Sequence, residues 1–180
     1  VYVNDEQDFS VELLWVNARW DAQMGFVPML IGNRPLPANH RVERTVCIAA
    51  PVDRVWNLVT DHRGMPKWFP LDTAALEREG WPAPNGVGAE RVMHGPKLNV
   101  REQVIGWDPL RSLDYRLMKG APISCHQGRV ELKPVAGGTE LTWSIRYRAE
   151  IPGTSGIVRR AMDKMLGDAL PRLKKLAESG

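Results

Sequence analysis

Two periods of apolar residues divide this chain. Between Val42 and Glu150 apolar and polar residues alternate in short runs, the pattern of strands with one face in water. From Thr154 to Leu176 apolar residues recur every three or four positions, the pattern of an amphipathic helix. Val158, Met162, Met165, Ala169, Leu173 and Leu176 form its stripe. Ile157, Ala161, Leu166 and Leu170 widen it, while the charged residues mostly take the other side. Thr154 or Ser155 can cap the start, and Lys174 and Lys175 suit the negative end of the helix dipole. Pro171 cannot donate to the carbonyl of Gly167 and its ring clashes with it, so a kink or local opening is expected there.

Val42–Ala50 reads as a strand with Val42, Val46 and Ile48 on one face. Pro51 then opens a helix carrying Val55, Trp56 and Val59, stopped by Gly64. Met65–Pro70 is a one-turn helix, with Trp68 and Phe69 exposed unless something covers them. Strands follow at Thr73–Glu79, Ala89–Met93, Leu98–Trp107, Ser112–Met118, Ile123–Lys133 and Glu140–Glu150. The breaks between them carry turn residues such as Asn85-Gly86, Asp108-Pro109 and Gly137-Gly138. Connections this short make the sheet antiparallel and sequential. An antiparallel sheet of six or seven strands curls, and the long helix fills its concave side, an α+β arrangement.

Residues 1–40 stand apart from a domain at 41–180. Phe9–Gln23 can form a helix with Val11, Leu14, Trp15 and Ala18 on one side, widened by Val16 and Trp20. Pro28, Pro35 and Pro37 then break regular structure. This segment packs on the domain, or serves as a partner arm forming a homodimer through residues 9–23, or the chain starts at Met24.

Composition narrows the classes. The net charge of +3 comes without a dense Lys/Arg cluster except Arg172–Lys175, at a helix C-terminus where cations belong, so nucleic acid is not expected. The longest apolar stretch, Gly25–Gly32, falls far short of the ~20 residues that cross a bilayer. Asp5, Glu6 and Asp8 sit where a secretory signal needs positive charge. Cys47 and Cys125 lie far apart, which suits a reducing cytoplasm. His40, His62, His94 and His126 show no ligand spacing, so no metal is expected. Gly86-Val87-Gly88 sits in a hairpin, not before a helix, and no other cofactor motif is present.

The order of elements resembles the helix-grip fold of the START/polyketide-cyclase superfamily (the Bet v 1-like, or SRPBCC, group), and looks closest to its bacterial polyketide cyclase/dehydrase-like members. The resemblance rests on PVDRVWNLVTD (Pro51–Asp61), KWFP (Lys67–Pro70), WDPLRSLDYR (Trp107–Arg116), GGTELTW (Gly137–Trp143) and ALPRLKKLAE (Ala169–Glu178). It implies a cavity between sheet and helix that holds an apolar or polyaromatic small molecule, and no universal catalytic triad or metal site.

Strand parity then selects candidates. Leu141, Trp143, Ile145, Tyr147 and Ala149 should face the helix, as should Leu113, Tyr115 and Leu117. Leu98, Val100, Glu102 and Val104 form a third inward set, and His126, Gly128, Val130 and Leu132 a fourth, unless a bulge at Gly128 flips the residues before it. Glu102 and His126 are ionisable residues among apolar ones. Each is a polar anchor or general acid/base, or else is held by a local partner such as Arg91 or Tyr115 or lies at the sheet end and reaches water. The ligand-binding candidates are Trp68, Phe69, Met93, Val100, Glu102, Tyr115, Leu117, His126, Trp143, Tyr147, Met162, Met165 and Leu166. The expected function is binding of a lipophilic small molecule (polyketide-, lipid- or quinone-like). The alternatives are a polyketide cyclase, aromatase or dehydratase using Glu102 or His126, and an interaction module like the superfamily's chaperone activators.

Overall fold

The structure, a computed structural model, describes residues 38–96 and 98–179. The helix expected over Phe9–Gln23 and its proline-containing linker to residue 37 lie outside the described residues. The described chain runs β1 (His40–Ile48), α1 (Val52–Thr60), a single-turn 3-10 helix (Met65–Lys67), β2 (Thr73–Arg78), β3 (Glu90–Gly95), β4 (Leu98–Asp108), β5 (Ser112–Lys119), β6 (Ile123–Val135), β7 (Gly138–Ala149) and α2 (Ser155–Glu178). All seven strands form one antiparallel sheet in the order β1-β7-β6-β5-β4-β3-β2. Hairpins account for every step of that order except the first. That first pair, β1–β7, is not consecutive in the chain: after β1 the chain passes through α1 and the 3-10 turn to β2, at the opposite edge of the sheet. This is the helix-grip fold.

Alternation decides the faces as expected. Leu141, Trp143, Ile145 and Tyr147 of β7 are buried, with Val130 and Leu132 of β6, Leu113 and Tyr115 of β5, and Val100 and Val104 of β4. α1 ends at Thr60, a turn before Gly64, and Asp61 accepts a hydrogen bond from the Gly64 N–H at 3.0 Å. Its Trp56 meets Trp107 edge-on at 4.9 Å between ring centroids. Trp68 and Phe69 are not surface aromatics: both are buried, within 6.0 and 5.8 Å of the Trp143 ring. Removing that much apolar area from water outweighs the short turn's weak propensity for order.

α2 lies along β1, held by Arg44 to Asp163 at 2.9 and 2.8 Å, Lys174 Nζ to the Cys47 carbonyl at 2.6 Å, and the Ala49 N–H to Glu178 Oε1 at 2.7 Å. The last two satisfy a carbonyl of the edge strand and the N–H just past its end. Helical structure continues through Gly167 and Pro171, so the expected opening does not interrupt it; Pro171 faces solvent. The two halves of α2 differ. Leu166, Ala169, Leu170, Leu173 and Ala177 are buried, whereas before Leu166 the inward residues Val158, Met162 and Met165 are only half-buried.

Candidate functional site

The feature that departs from an apolar concave face is built on β3, β4 and β5. Arg91 and Glu102 are opposite each other across the β3–β4 ladder, and Glu102 faces Leu117 across β4–β5. Both charged side chains point inward by the same alternation that buries Met93, Val100 and Val104. Arg91 donates from Nε and Nη2 to Glu102 Oε2, at 3.0 and 2.6 Å. Its Nη1 lies 3.1 Å from His62 Nδ1 and 3.8 Å from Met65 Sδ. Its guanidinium carbon lies 4.6 Å from the centroid of the Tyr115 ring, a cation–π contact.

These contacts determine protons. A guanidinium only donates, so His62 Nδ1 is the acceptor and the imidazole proton sits on Nε2. Burial, and then the Arg91 charge, push the His62 pKa down to about 3, so the ring is neutral. Trp143 Nε1 donates to Tyr115 Oη at 2.8 Å; an indole N–H cannot accept, so the Tyr115 hydroxyl hydrogen is left over. Burial, reinforced by Glu102, pushes the Tyr115 pKa up, keeping it a proton donor. The ring itself lies flat against Gly128: a Cβ there would come within 2.0 Å of Tyr115 Cζ. Glycine at this position is what admits the tyrosine.

His126 has a structural partner as well. The β5–β6 ladder ends at Tyr115–Gly128, and β6 is irregular between Ser124 and Gln127, where Cys125 takes φ 50°. The Leu117 N–H thereby lacks a strand partner and donates to His126 Nδ1 at 3.1 Å. The irregularity precedes Gly128 and leaves His126 on the Tyr115 side, 5.7 Å between ring centroids. Burial lowers the His126 pKa, partly opposed by Glu102, so its remaining proton is on Nε2.

Of the predicted residues, Trp68, Phe69, Tyr115 and Trp143 form one aromatic cluster, with successive centroids 5.7 to 6.4 Å apart. His126 adjoins it through Tyr115, Leu117 through His126 and Glu102 through Arg91, and Met93 pairs with Val100 on the same inward face. Tyr147 stands elsewhere, its ring tilted against His40 at 5.3 Å between centroids, with its hydroxyl buried and unpartnered. Leu166 is fully buried core, while Met162 and Met165 lie on the less covered half of α2. Two members were not among the predicted ligand residues. The sequence offers Arg91 only as a local partner of Glu102; parity with Met93 puts it on the inward face of β3, and the β3–β4 register sets it opposite Glu102. His62 could not, because it lies in the irregular turn after α1. Surface grooves of about 530 and 410 Å³ flank α2, and none of the predicted residues lines them. Among the described residues no three His, Cys, Asp or Glu side chains could hold a metal, neither cysteine forms a disulfide, and no helix is long and apolar enough to cross a membrane.

A curled sheet gripping a terminal helix over a polar cluster defines the class, and the comparisons agree. The chain belongs to the family described as polyketide cyclase / dehydrase and lipid transport, whose model matches residues 39–178. It is 28% identical over 158 residues to the granaticin polyketide synthase bifunctional cyclase/dehydratase of Streptomyces violaceoruber, covering 81% of this chain and 46% of that protein. The chain thus spans about half the length of that relative. A START superfamily protein from Mycobacterium smegmatis superposes with a TM-score of 0.68 at 16% identity, over 78% of this chain and 98% of that one. DynU16, a protein of the dynemicin biosynthetic locus, does so with a TM-score of 0.59 at 26% identity, over 78% of this chain and 48% of that one.

Proposed function

We propose that the domain binds a lipophilic small molecule, polyketide-, lipid- or quinone-like, between the concave face of the sheet and the first half of α2. The observation that carries this reading is the Arg91–Glu102 ion pair on an otherwise apolar face. A buried ion pair contributes little net stability compared with apolar residues of similar size, so its presence fits orientation of a ligand better than support of the core. Around it the Tyr115 hydroxyl and His126 Nε2 each keep a proton to donate, which suits an acceptor oxygen on the ligand. Affinity comes mainly from apolar burial, roughly 25 cal/mol per Å². Leu117, Met162 and Met165, all half-buried, are the adaptable apolar contacts. Native mass spectrometry of the protein as purified should reveal a bound molecule. Anilinonaphthalene sulfonate should bind saturably, and more weakly to Glu102→Gln and His126→Asn. Absence of both a co-purified molecule and saturable probe binding would sink the idea.

A second reading is catalytic: a cyclase or dehydratase that folds a poly-ketone chain and moves protons with Glu102 or His126. The similarity to the granaticin cyclase/dehydratase favours it. The same two variants should then retain poly-ketone binding and lose turnover. Turnover that survives both would exclude these residues as its acid and base.

A further inference from the structure

Tyr147 points inward from β7 and is fully buried, yet its hydroxyl has no hydrogen-bond partner. Leaving a hydroxyl buried and unpaired is destabilising, and few native groups are left so. Its surroundings come from β1 and α2. His40 is opposite Tyr147 in the β1–β7 ladder, half-buried, with its ring against the phenol. α2 runs in the same direction as β1, since Asp163, Lys174 and Glu178 bind Arg44, Cys47 and Ala49 in turn. Arg159 stands one turn before Asp163 on the same helix face, which carries it over the start of β1, where His40 and Tyr147 pair. Its charge is felt by both Tyr147 and Asp163. Asp163 is already bound through both oxygens to Arg44, and Arg159, exposed on its outer side, forms no ion pair or hydrogen bond among the described residues. Burial raises the Tyr147 pKa against the pull of Arg159, so the hydroxyl keeps its proton. A protonated hydroxyl and an uncommitted guanidinium therefore face one spot with no acceptor between them. That spot adjoins the ligand face. The irregular stretch of β6 that carries His126 lies opposite Tyr147, between the Gln127–Arg146 and Ser124–Arg148 pairs, and the half-buried Val158 and Met162 flank Arg159 on α2.

We propose that Tyr147 and Arg159, with His40 beside them, form an anchor for an oxyanion at the end of the lipophilic ligand, a carboxylate or a phosphate monoester. The proposal rests on the ligand reading above and narrows it: the molecule held is an acid with a free end. The guanidinium fork takes two oxygens of such a group, and the Tyr147 hydroxyl donates to one of them from the buried side. The apolar body then runs past Met162 towards Leu117 and His126. An alcohol, ester or thioester at that end lacks the charge that both donors would meet, and Asp163 does not repel the anion because Arg44 neutralises it.

The test is displacement of the neutral probe N-phenylnaphthylamine from the full chain by decanoate, decyl phosphate and decanol, which share one apolar tail. At about pH 8, where a carboxylic acid is ionised, at least one of the two acids should displace the probe roughly tenfold more effectively than decanol. Arg159→Gln should remove about tenfold from the acids and leave decanol within about twofold; Arg159 is exposed, so this variant keeps the fold. Tyr147→Phe should take roughly fivefold from the acids alone. Preference for decanoate assigns the anchor to a carboxylate, and preference for decyl phosphate assigns it to a phosphate. Equal displacement by all three, or a preference for the acids that survives both substitutions, overturns the anchor while the ligand reading stands. A Tyr147→Phe variant that changes stability but not the ratio of acid to alcohol affinity makes the hydroxyl structural and overturns its role. If the probe does not bind and calorimetry detects no binding of the three ligands, the ligand reading falls and the anchor with it.

Discussion

At the scale of single residues, Arg91 decides the chemistry of the concave face, because Glu102, His62, Tyr115 and Met65 all direct a group at it. Removing one partner strands a buried charge. Arg91→Met should therefore cost about 3–5 kcal/mol in urea unfolding, and Glu102→Gln should be destabilising as well, while Arg91→Met/Glu102→Leu should recover much of the loss. Stability of the double variant no better than Arg91→Met alone would show that the pair does not act as a unit. His62 adds a pH dependence. Its folded pKa of about 3 lies below the ordinary value near 6.5, so between those limits the unfolded chain binds a proton that the folded chain does not. Stability should be full above about pH 6.5 and fall as pH drops, with a slope approaching ~1.4 kcal/mol per unit from this residue. His126, also lowered, acts in the same direction. His62→Gln should flatten the unfolding free energy measured between about pH 7 and pH 5; an unchanged slope would assign the effect to other groups.

At the scale of elements, Gly128 links two strands through a side chain it lacks. In Gly128→Ala the new methyl would overlap the phenol end of Tyr115, at 2.0 Å from Cζ, so the side chain must shift away from its contacts with Arg91 and Trp143. A loss of about 1–3 kcal/mol is expected, and it should largely vanish when Tyr115 is already alanine, as a double-mutant cycle would measure. The halves of α2 should respond differently too. Leu173→Ala, in the buried half, should cost about 2–5 kcal/mol, whereas Met162→Ala should change stability far less and act on probe affinity. The strands and their faces were legible in the sequence because each has one wet face, so alternation records burial directly; Glu140–Glu150 and Ser112–Met118 show it. The burial of Trp68 and Phe69 was not legible, since it depends on Trp143, far away in the chain. Glu102 could be singled out as a charge on an apolar face, but its partner could only be guessed, because strand register is set across the sheet. His62 obeys no period at all, so only the folded chain shows it beside Arg91.

At the scale of the whole molecule, the sheet holds one end closed and leaves the other less covered. α1, the 3-10 turn and the buried half of α2 seal the aromatic cluster, and side chains of α2 cap the free edge of β1. Among the described residues nothing comparable buries Val158, Met162 and Met165 on the first half of α2. Local stability should follow this division, since segments with few buried contacts open more readily than core segments. Amide hydrogen exchange should therefore be faster across residues 156–165 than across 166–177 in the same helix. If the concave face takes up a lipophilic molecule, its added contacts fall on the faster half and on β5 and β6 near Leu117 and His126. Saturation with anilinonaphthalene sulfonate should then slow exchange in residues 156–165 and 115–127, and leave the β1–β7 pairing near Ile48 and Thr139 unchanged. Uniform slowing through α2 would instead indicate general stabilisation, and slowing confined to the groove residues Arg44, Thr45, Leu170 and Lys174 would move the site to the outside of the helix.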